Sequence, residues 1–295
     1  MTILTRKTLE QRQQLYATYE ELEDYSNLTS DIMVKFPKEA ANVLTALFSS
    51  NAEIYAHSLY WAIRAVDKYA IIDLMCCVDD VKMEDIIEAY NNYCGANADL
   101  KSDIKRRFPG QFGKLLGAIL EGKRRPSIPG RGNISSSEIG VVAAEECMWI
   151  KTIWDPVIRI FSQYSYEELV YFARQHVDIT GLTLEQSIRI ETAGLYYFRR
   201  LLLKILQYAG DPTTHYAGMI QDALLSYDLK KFRSWSSSPN QTLTWILVTR
   251  SELDLKTIAQ RYKEMTYTNL VDVVNTTVPE SFKTIFVKLI QGNNK

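Results

Sequence analysis

The sequence predicts an all-α protein built from four repeats of about five helices each. Glycine and proline are scarce, at 13 and 8 of 295 residues, so the chain has few residues that form tight turns or end strands. Apolar residues recur at helical spacing within long charged segments, and one sequence pattern returns four times. With 46% hydrophobic residues, the chain can fill a sizeable core.

Four segments carry the repeated pattern, and each predicts two consecutive helices. In chain order they read NLTSDIMVKFPKEAANVLTALF (27–48), DLKSDIKRRFPGQFGKLLGAIL (99–120), TLEQSIRIETAGLYYFRRLLLKIL (183–206) and NLVDVVNTTVPESFKTIFVKLI (269–290). Each begins with a residue type that caps helices, then Leu, with Ile or Val four positions later on the same helical face. Nine positions after the Leu stands a helix breaker: Pro37, Pro109, Ala193-Gly194 or Pro279.

A short polar segment, here called the polar junction, precedes a further helix upstream of each pair. It reads TRSE at 249–252 and TRKT at 5–8, with counterparts in 77–90 and 162–173. We expect its Ser or Asp to cap the new helix where the old one ends. Before the last three junctions run two more helical segments, which makes five helices per unit. The first unit begins within the helix that precedes its junction, so it contains only about three helices.

The array resembles the annexins, through TRSELDLKTIAQRYKEM in the last copy and ILTRKTLEQRQQL in the first. Its divergence is similar to that of the alpha-giardins, annexin-like proteins associated with membranes and the flagellar cytoskeleton. The resemblance is strong in residues 3–22, 99–120 and 243–292. It implies the annexin fold, a curved disc of repeats with these bounds: 1–50 (truncated at its N-terminus), 51–122, 137–212 and 213–295, with a linker at 123–136.

The resemblance also implies Ca²⁺ sites, each made by a glycine-rich loop and an acid 39 residues after the loop's Thr. Ca²⁺ takes six to eight oxygen ligands, and a bidentate carboxylate fixes the ion that loop carbonyls surround. The acid positions of the four copies hold Lys35, Arg107, Glu191 and Thr277. Two copies therefore place a cation where the carboxylate is needed.

Only the third copy keeps its acid, so we expect at most one or a few weak Ca²⁺ sites. Thr152 precedes Glu191 by the family spacing, and the ligands would be the Glu191 carboxylate and the main-chain oxygens of Cys147, Trp149 and Lys151. Trp149 and Lys151 replace the two glycines of the family loop, which weakens the site. The alternative interpretation is that Glu191 is an ordinary acid in a loop.

Tryptophans in the loops are candidates for membrane contact. Trp149 and Trp235 lie in the expected lipid-facing loops, and indole suits the boundary between water and headgroups. Local packing is the alternative for both, and it is our prediction for Trp154. Trp61 and Trp245 lie in apolar helical runs, so we predict that they belong to the core.

Charge and cysteine usage bound the class of protein. Lys and Arg (34) nearly balance Asp and Glu (35), so nothing points to nucleic acid. The segment GKRRPSIPGRG (122–132) is interpreted as a solvated linker or, alternatively, its basic residues contact lipid headgroups.

The N-terminal residues carry an acid and no long apolar stretch, unlike a signal peptide. The four cysteines lack metal-ligand spacing and are expected to be reduced.

Nothing in the sequence requires catalysis, and we expect no enzyme. The three histidines, His57, His176 and His215, sit in no catalytic or metal constellation, and no phosphate-binding loop is present. Two functions remain. One is a cytoplasmic, peripheral membrane protein that binds acidic phospholipid with reduced calcium dependence. The other is a calcium-independent scaffold for cytoskeletal proteins. The truncated first repeat leaves apolar faces near residues 9–22 undercovered, which suggests self-association.

Overall fold

The fold is all-helical over the part of the chain that the structure describes. The computed structural model describes residues 3–22, 27–79, 81–95, 98–126, 154–229 and 239–292. Within them it has a 3₁₀ turn at Leu4–Arg6 and the following α-helices: α1 Leu9–Leu22, α2 Leu28–Lys35, α3 Lys38–Ala46, α4 Asn51–Arg64, α5 Lys68–Met75, α6 Met83–Cys94, α7 Leu100–Arg107, α8 Gly110–Ile119, α9 Asp155–Gln163, α10 Tyr166–Thr180, α11 Leu184–Glu191, α12 Tyr196–Gly210, α13 Pro212–Leu229, α14 Pro239–Thr249, α15 Leu255–Thr266, α16 Leu270–Thr277 and α17 Glu280–Gln291. The predicted fold class is confirmed.

The repeated segments fold as predicted, each as an eight-residue helix followed by a second helix. The short helices are α2, α7, α11 and α16, and a side chain caps each at its N-terminus: Asn27, Asp99, Thr183 and Asn269. The Ile or Val four positions after the repeat Leu is buried in every copy. Because these residues recur one helical turn apart, they face the core together. The sequence pattern therefore has a direct structural cause.

Proline begins the second helix in three copies. Pro37, Pro109 and Pro279 are the N-cap residues of α3, α8 and α17. Proline suits this place because its missing N–H is not needed at a helix start. In the third copy the corner is a turn in which Gly194 has a φ of 84°, a left-handed conformation that glycine adopts without strain.

The polar junctions cap their helices in two different ways. Ser165 begins α10 with a reciprocal capping box to Glu168, as predicted. Asp254, the N-cap of α15, makes no capping bond. It pairs instead with Arg250, whose Nε and Nη2 donate to its two carboxylate oxygens at 2.8 Å each. The prediction of a capping Asp or Ser is therefore wrong for this junction, because the adjacent guanidinium takes the carboxylate.

The chain divides into two compact units. One unit comprises Met1–Trp61 and Thr213–Lys295, and the other comprises Ala62–Pro212. In the first unit α17 packs against α3, so segments from both ends of the chain share a core. The predicted repeat boundaries remain predictions.

Arg12 is the buried residue of α1, the helix that we expected to be undercovered. It is 2% exposed, whereas Leu15 and Leu22 of the same helix are 39% and 78% exposed. Its Nε donates to the Leu4 carbonyl at 3.0 Å and its Nη1 to the Leu47 carbonyl at 2.9 Å. Its Nη2 lies 3.2 Å from the carboxylate of Glu252, in the last polar junction. The buried anchor of the helix is thus a polar side chain, and contacts of Tyr16 with Phe48 and of Tyr19 with Asp31 add to it.

Two of the three tryptophan packing predictions are correct. Trp245 is buried, and Trp154 packs edge-on against Phe198 with ring centroids 5.3 Å apart. Trp61 is 39% exposed, so its assignment to the core is wrong. Its indole nitrogen donates to His57 Nε2 on the same helix.

Two bases of the predicted linker are held by the second unit. Arg124 donates to the carbonyls of Phe161 and Tyr164, and its guanidinium lies over the Tyr166 ring at 4.4 Å. Arg125 forms an ion pair with Glu168 at 2.9 Å. The interpretation of this segment as solvated is therefore wrong for Arg124, which carbonyls and an aromatic face bind, whereas Arg125 is paired but still exposed.

Candidate functional site

The four positions expected to hold a calcium-binding acid are structurally equivalent. Lys35, Arg107, Glu191 and Thr277 are each the last residue of an eight-residue helix. Lys35 and Arg107 are exposed, whereas Glu191 and Thr277 are half-buried. A helix C-terminus carries partial negative charge, which favours a cation close by. At two corners a side-chain cation already occupies this place.

Glu191 is available as a ligand. Among the described residues its carboxylate has no hydrogen-bond or ion-pair partner, and it stands at the negative end of α11. The next residue, Thr192, is 1% exposed and donates both its N–H and its hydroxyl to the Ile188 carbonyl, which fixes the corner. A free carboxylate on a rigid helix end fits a divalent cation. The predicted partners Cys147, Trp149 and Lys151 lie outside the described residues, and so does Trp235.

The second copy is unsuited to calcium in both halves of its site. Lys68 precedes Arg107 by the 39 residues of the family spacing. The adjacent loop contains Val66 at a φ of 52°. The carboxylate of Asp67 is used to cap α5 through the N–H groups of Tyr69 and Ala70. The acid of this loop is thus used as a helix cap, and the position expected to hold the calcium-binding acid carries a cation, which does not suit a metal ion.

A buried histidine holds α11, the helix that presents Glu191. His176 on α10 and Ser187 on α11 are both buried, and His176 Nε2 lies 2.7 Å from Ser187 Oγ. The Nδ1 atom is buried without a partner. Burial lowers the pKa of His176, because an imidazolium here could not be hydrated.

Acidification is expected to weaken the packing of α10 on α11. As the pH falls below about 6.5, the ordinary histidine value, the unfolded chain takes up the proton before the folded chain does. Each unit of difference between the two pKa values removes about 1.4 kcal/mol of unfolding free energy. Urea unfolding measured between neutral and acid pH should show this loss, and His176→Gln should make it smaller. Because His57 also has a lowered pKa, some slope should remain. An unchanged slope in the variant would exclude His176 as its source.

A basic groove lies on the same helix and was not foreseen from the sequence. It has a volume of about 540 Å³ and is lined by α11 and α12, with Arg189, Arg199, Arg200 and Lys204 among its residues. Glu185 is the acid of its lining. The adjacent bases of α12 look like a solvated helix face in the sequence, and only the packing of α11 on α12 adds Arg189 to them.

No helix among the described residues has both the length and the apolar character needed to cross a bilayer.

Comparison with known proteins gives annexin relatives that match most of this chain. No model of a known protein family matches the chain. Mouse annexin A13 is 25% identical over 296 residues, covering 98% of this chain and 87% of its own length. Annexin A5 from the newt Cynops pyrrhogaster is 26% identical over 268 residues, covering 90% of this chain and 78% of its own.

Solved structures agree on the fold. Annexin III matches with a TM-score of 0.83 at 22% identity, covering 99% of this chain and 87% of its own. Calcium-bound alpha-1 giardin matches with a TM-score of 0.71 at 16% identity, covering 98% of this chain and 92% of its own. The chain is therefore similar to annexins along almost its whole length, and its helices have the annexin architecture.

Proposed function

We propose that this chain is a non-enzymatic, peripheral membrane protein that binds acidic phospholipid with reduced dependence on calcium. The observation that carries the proposal is the set of equivalent helix ends, where Lys35 and Arg107 replace the acid and Glu191 retains it. Calcium-bound structures of annexin (Sm)1 and alpha-1 giardin, both similar to this chain, support Ca²⁺ as the ion. The proposed location is cytoplasmic, at a membrane surface.

The proposed calcium site is in the third repeat and holds one ion. Glu191 supplies the carboxylate, and main-chain oxygens of Cys147, Trp149 and Lys151 complete the shell. The free carboxylate at the C-terminus of α11 supports the first half of this assignment. The replacement of the loop glycines makes the site weak. Trp149 and Trp235 are the proposed membrane contacts.

Removing the charge of Glu191 tests the site. We expect Glu191→Gln to weaken Ca²⁺ binding by at least about tenfold in calorimetry, because it removes the negative charge and the bidentate coordination of the ion. Glu167→Gln is the matched control, since Glu167 is also a glutamate of the second unit and is exposed at the start of α10. Equal Ca²⁺ binding by wild type and Glu191→Gln would place the site elsewhere.

Trp149→Ala should reduce vesicle attachment more than Ca²⁺ affinity, because it keeps the carbonyl and removes the indole.

A calcium-independent scaffold for cytoskeletal proteins is the second candidate, favoured by the same cations at the helix ends. Co-sedimentation with phosphatidylserine vesicles, in calcium or in chelator, separates the two. Attachment that persists in chelator supports the proposed function, and no attachment in either condition supports the scaffold.

The exposed Leu15 and Leu22 of α1 also motivate self-association, which light scattering at rising concentration would detect.

A further inference from the structure

The basic groove on α11 and α12 carries a concentration of charge that the fold does not neutralise. Arg189 comes from α11, and Arg199, Arg200 and Lys204 come from α12, against the single carboxylate of Glu185 in the lining. Among the described residues none of these four cations has an ion-pair partner within 4.0 Å. Like charges gathered without counter-charges repel one another, so the arrangement is costly to the free protein.

The spacing of the cations along α12 adds to this repulsion. Arg200 and Lys204 are four residues apart, so they lie next to each other on one helical face. Two cations at this spacing destabilise a helix, whereas an acid at either position would stabilise it. If this face of α12 only contacted solvent, its stability would not require a half-buried arginine at position 200. The pattern is therefore better explained by a ligand than by the stability of the helix.

Arg200 is held in place without having its hydrogen-bonding capacity used up. Its Nε is buried and has no hydrogen-bond partner among the described residues. Its guanidinium lies 5.0 Å from the centre of the Tyr69 ring, and the hydroxyls of Tyr69 and Tyr196 are 3.4 Å apart. Arg199 lies over the ring of Tyr196 at 5.8 Å. Aromatic faces orient the guanidinium groups and leave N–H donors for which the described residues supply no acceptor.

We propose that this groove is a calcium-independent binding site for a polyanion that bears phosphomonoester groups. Three guanidinium groups match phosphate oxygens in paired hydrogen bonds, and several negative charges on the ligand would balance the excess of three positive charges. A volume of about 540 Å³ admits a small molecule such as an inositol phosphate or the headgroup of a phosphoinositide. The site does not depend on Glu191 or on membrane binding.

The test uses the full chain, with chelator present throughout. Calorimetry with inositol hexakisphosphate measures the soluble source of the ligand chemistry, and co-sedimentation with phosphatidylcholine vesicles, with and without phosphatidylinositol bisphosphate, measures the lipid source. The variant Arg189→Gln/Lys204→Gln removes one cation from each helix. The control Lys105→Gln/Lys114→Gln removes the same charge from exposed positions on α7 and α8 of the same unit.

We expect the groove variant to bind at least about tenfold more weakly than wild type, and the control to bind like wild type. Arg200→Lys keeps the charge but loses the planar fork, so it should also weaken binding. Loss confined to inositol hexakisphosphate or to phosphoinositide vesicles identifies the source and supports the site. Equal weakening by both double variants, or no binding of either probe by wild type, would overturn it. A protein that binds inositol hexakisphosphate but no phosphatidylserine vesicle would retain the groove site and lose the proposed membrane function.

Discussion

Replacing Arg12 with methionine is expected to lower the free energy of unfolding by about 2–6 kcal/mol, because two carbonyl acceptors lose their donor at about 1–3 kcal/mol each. The guanidinium is 2% exposed and donates to two carbonyls, those of Leu4 and Leu47, as well as contacting Glu252. Methionine fills part of the volume and leaves all three acceptors without their donor. Urea unfolding followed by circular dichroism measures the loss.

Two controls separate the carbonyl contacts from the ion pair. Glu252 is 33% exposed, so solvent screens its share, and Glu252→Gln should cost about 1 kcal/mol or less. Arg106→Met removes an arginine that is 71% exposed and paired within its own helix, and should be nearly neutral. If Arg12→Met were as mild as Arg106→Met, then α1 would be held by contacts other than this side chain.

Replacing Gly113 with alanine is expected to destabilise the second unit by about 1–3 kcal/mol or more, by overpacking. A Cβ at this position would lie 1.5 Å from the carbonyl oxygen of Phe108, which is backbone and has little room to move. The cause is the ψ angle of Phe108, which is 86°, whereas the matching corner residues Phe36 and Val278 have 153° and 138°. The rotated carbonyl points at α8 in this copy.

The sign of the effect makes the experiment decisive. Alanine has the higher helix propensity by about 1 kcal/mol, so a substitution without a clash should stabilise the helix. Gly117 lies on the same helix, and a Cβ there would meet nothing within 4 Å. Gly117→Ala should therefore raise the unfolding midpoint while Gly113→Ala lowers it. Stabilisation by both would show that the corner relaxes around the added methyl group.

The helices and corners were predictable because they depend on local rules. Leu100 and Ile104 lie one turn apart with a capping Asp99 before them and Pro109 after them, and all four act as their spacing indicates. Capping, helical periodicity and proline geometry each involve residues fewer than ten positions apart. The equivalence of Glu191 with the other three helix ends followed from the same pattern.

Features that depend on packing between helices were not predictable. Trp61 lies in an apolar run, but Leu59, Ala62 and Ile63 occupy the core-facing side of α4. Two residues after Leu59, Trp61 is rotated by about 200° around the helix and reaches the surface. The basic groove was missed for a related reason, since its cations come from two helices whose contact is set by tertiary structure.

The origin of the first unit in both ends of the chain has a consequence for synthesis on the ribosome. Arg12 emerges 240 residues before Glu252. At about 5–20 residues per second, the two are separated by roughly 12–48 seconds. Residues 62–212 are complete in that interval, so the second unit can fold while the N-terminal helices still lack the α17 surface that covers α3. The N-terminal helices are then synthesised before the second unit but reach their native contacts after it, which reverses the usual N-to-C order of folding.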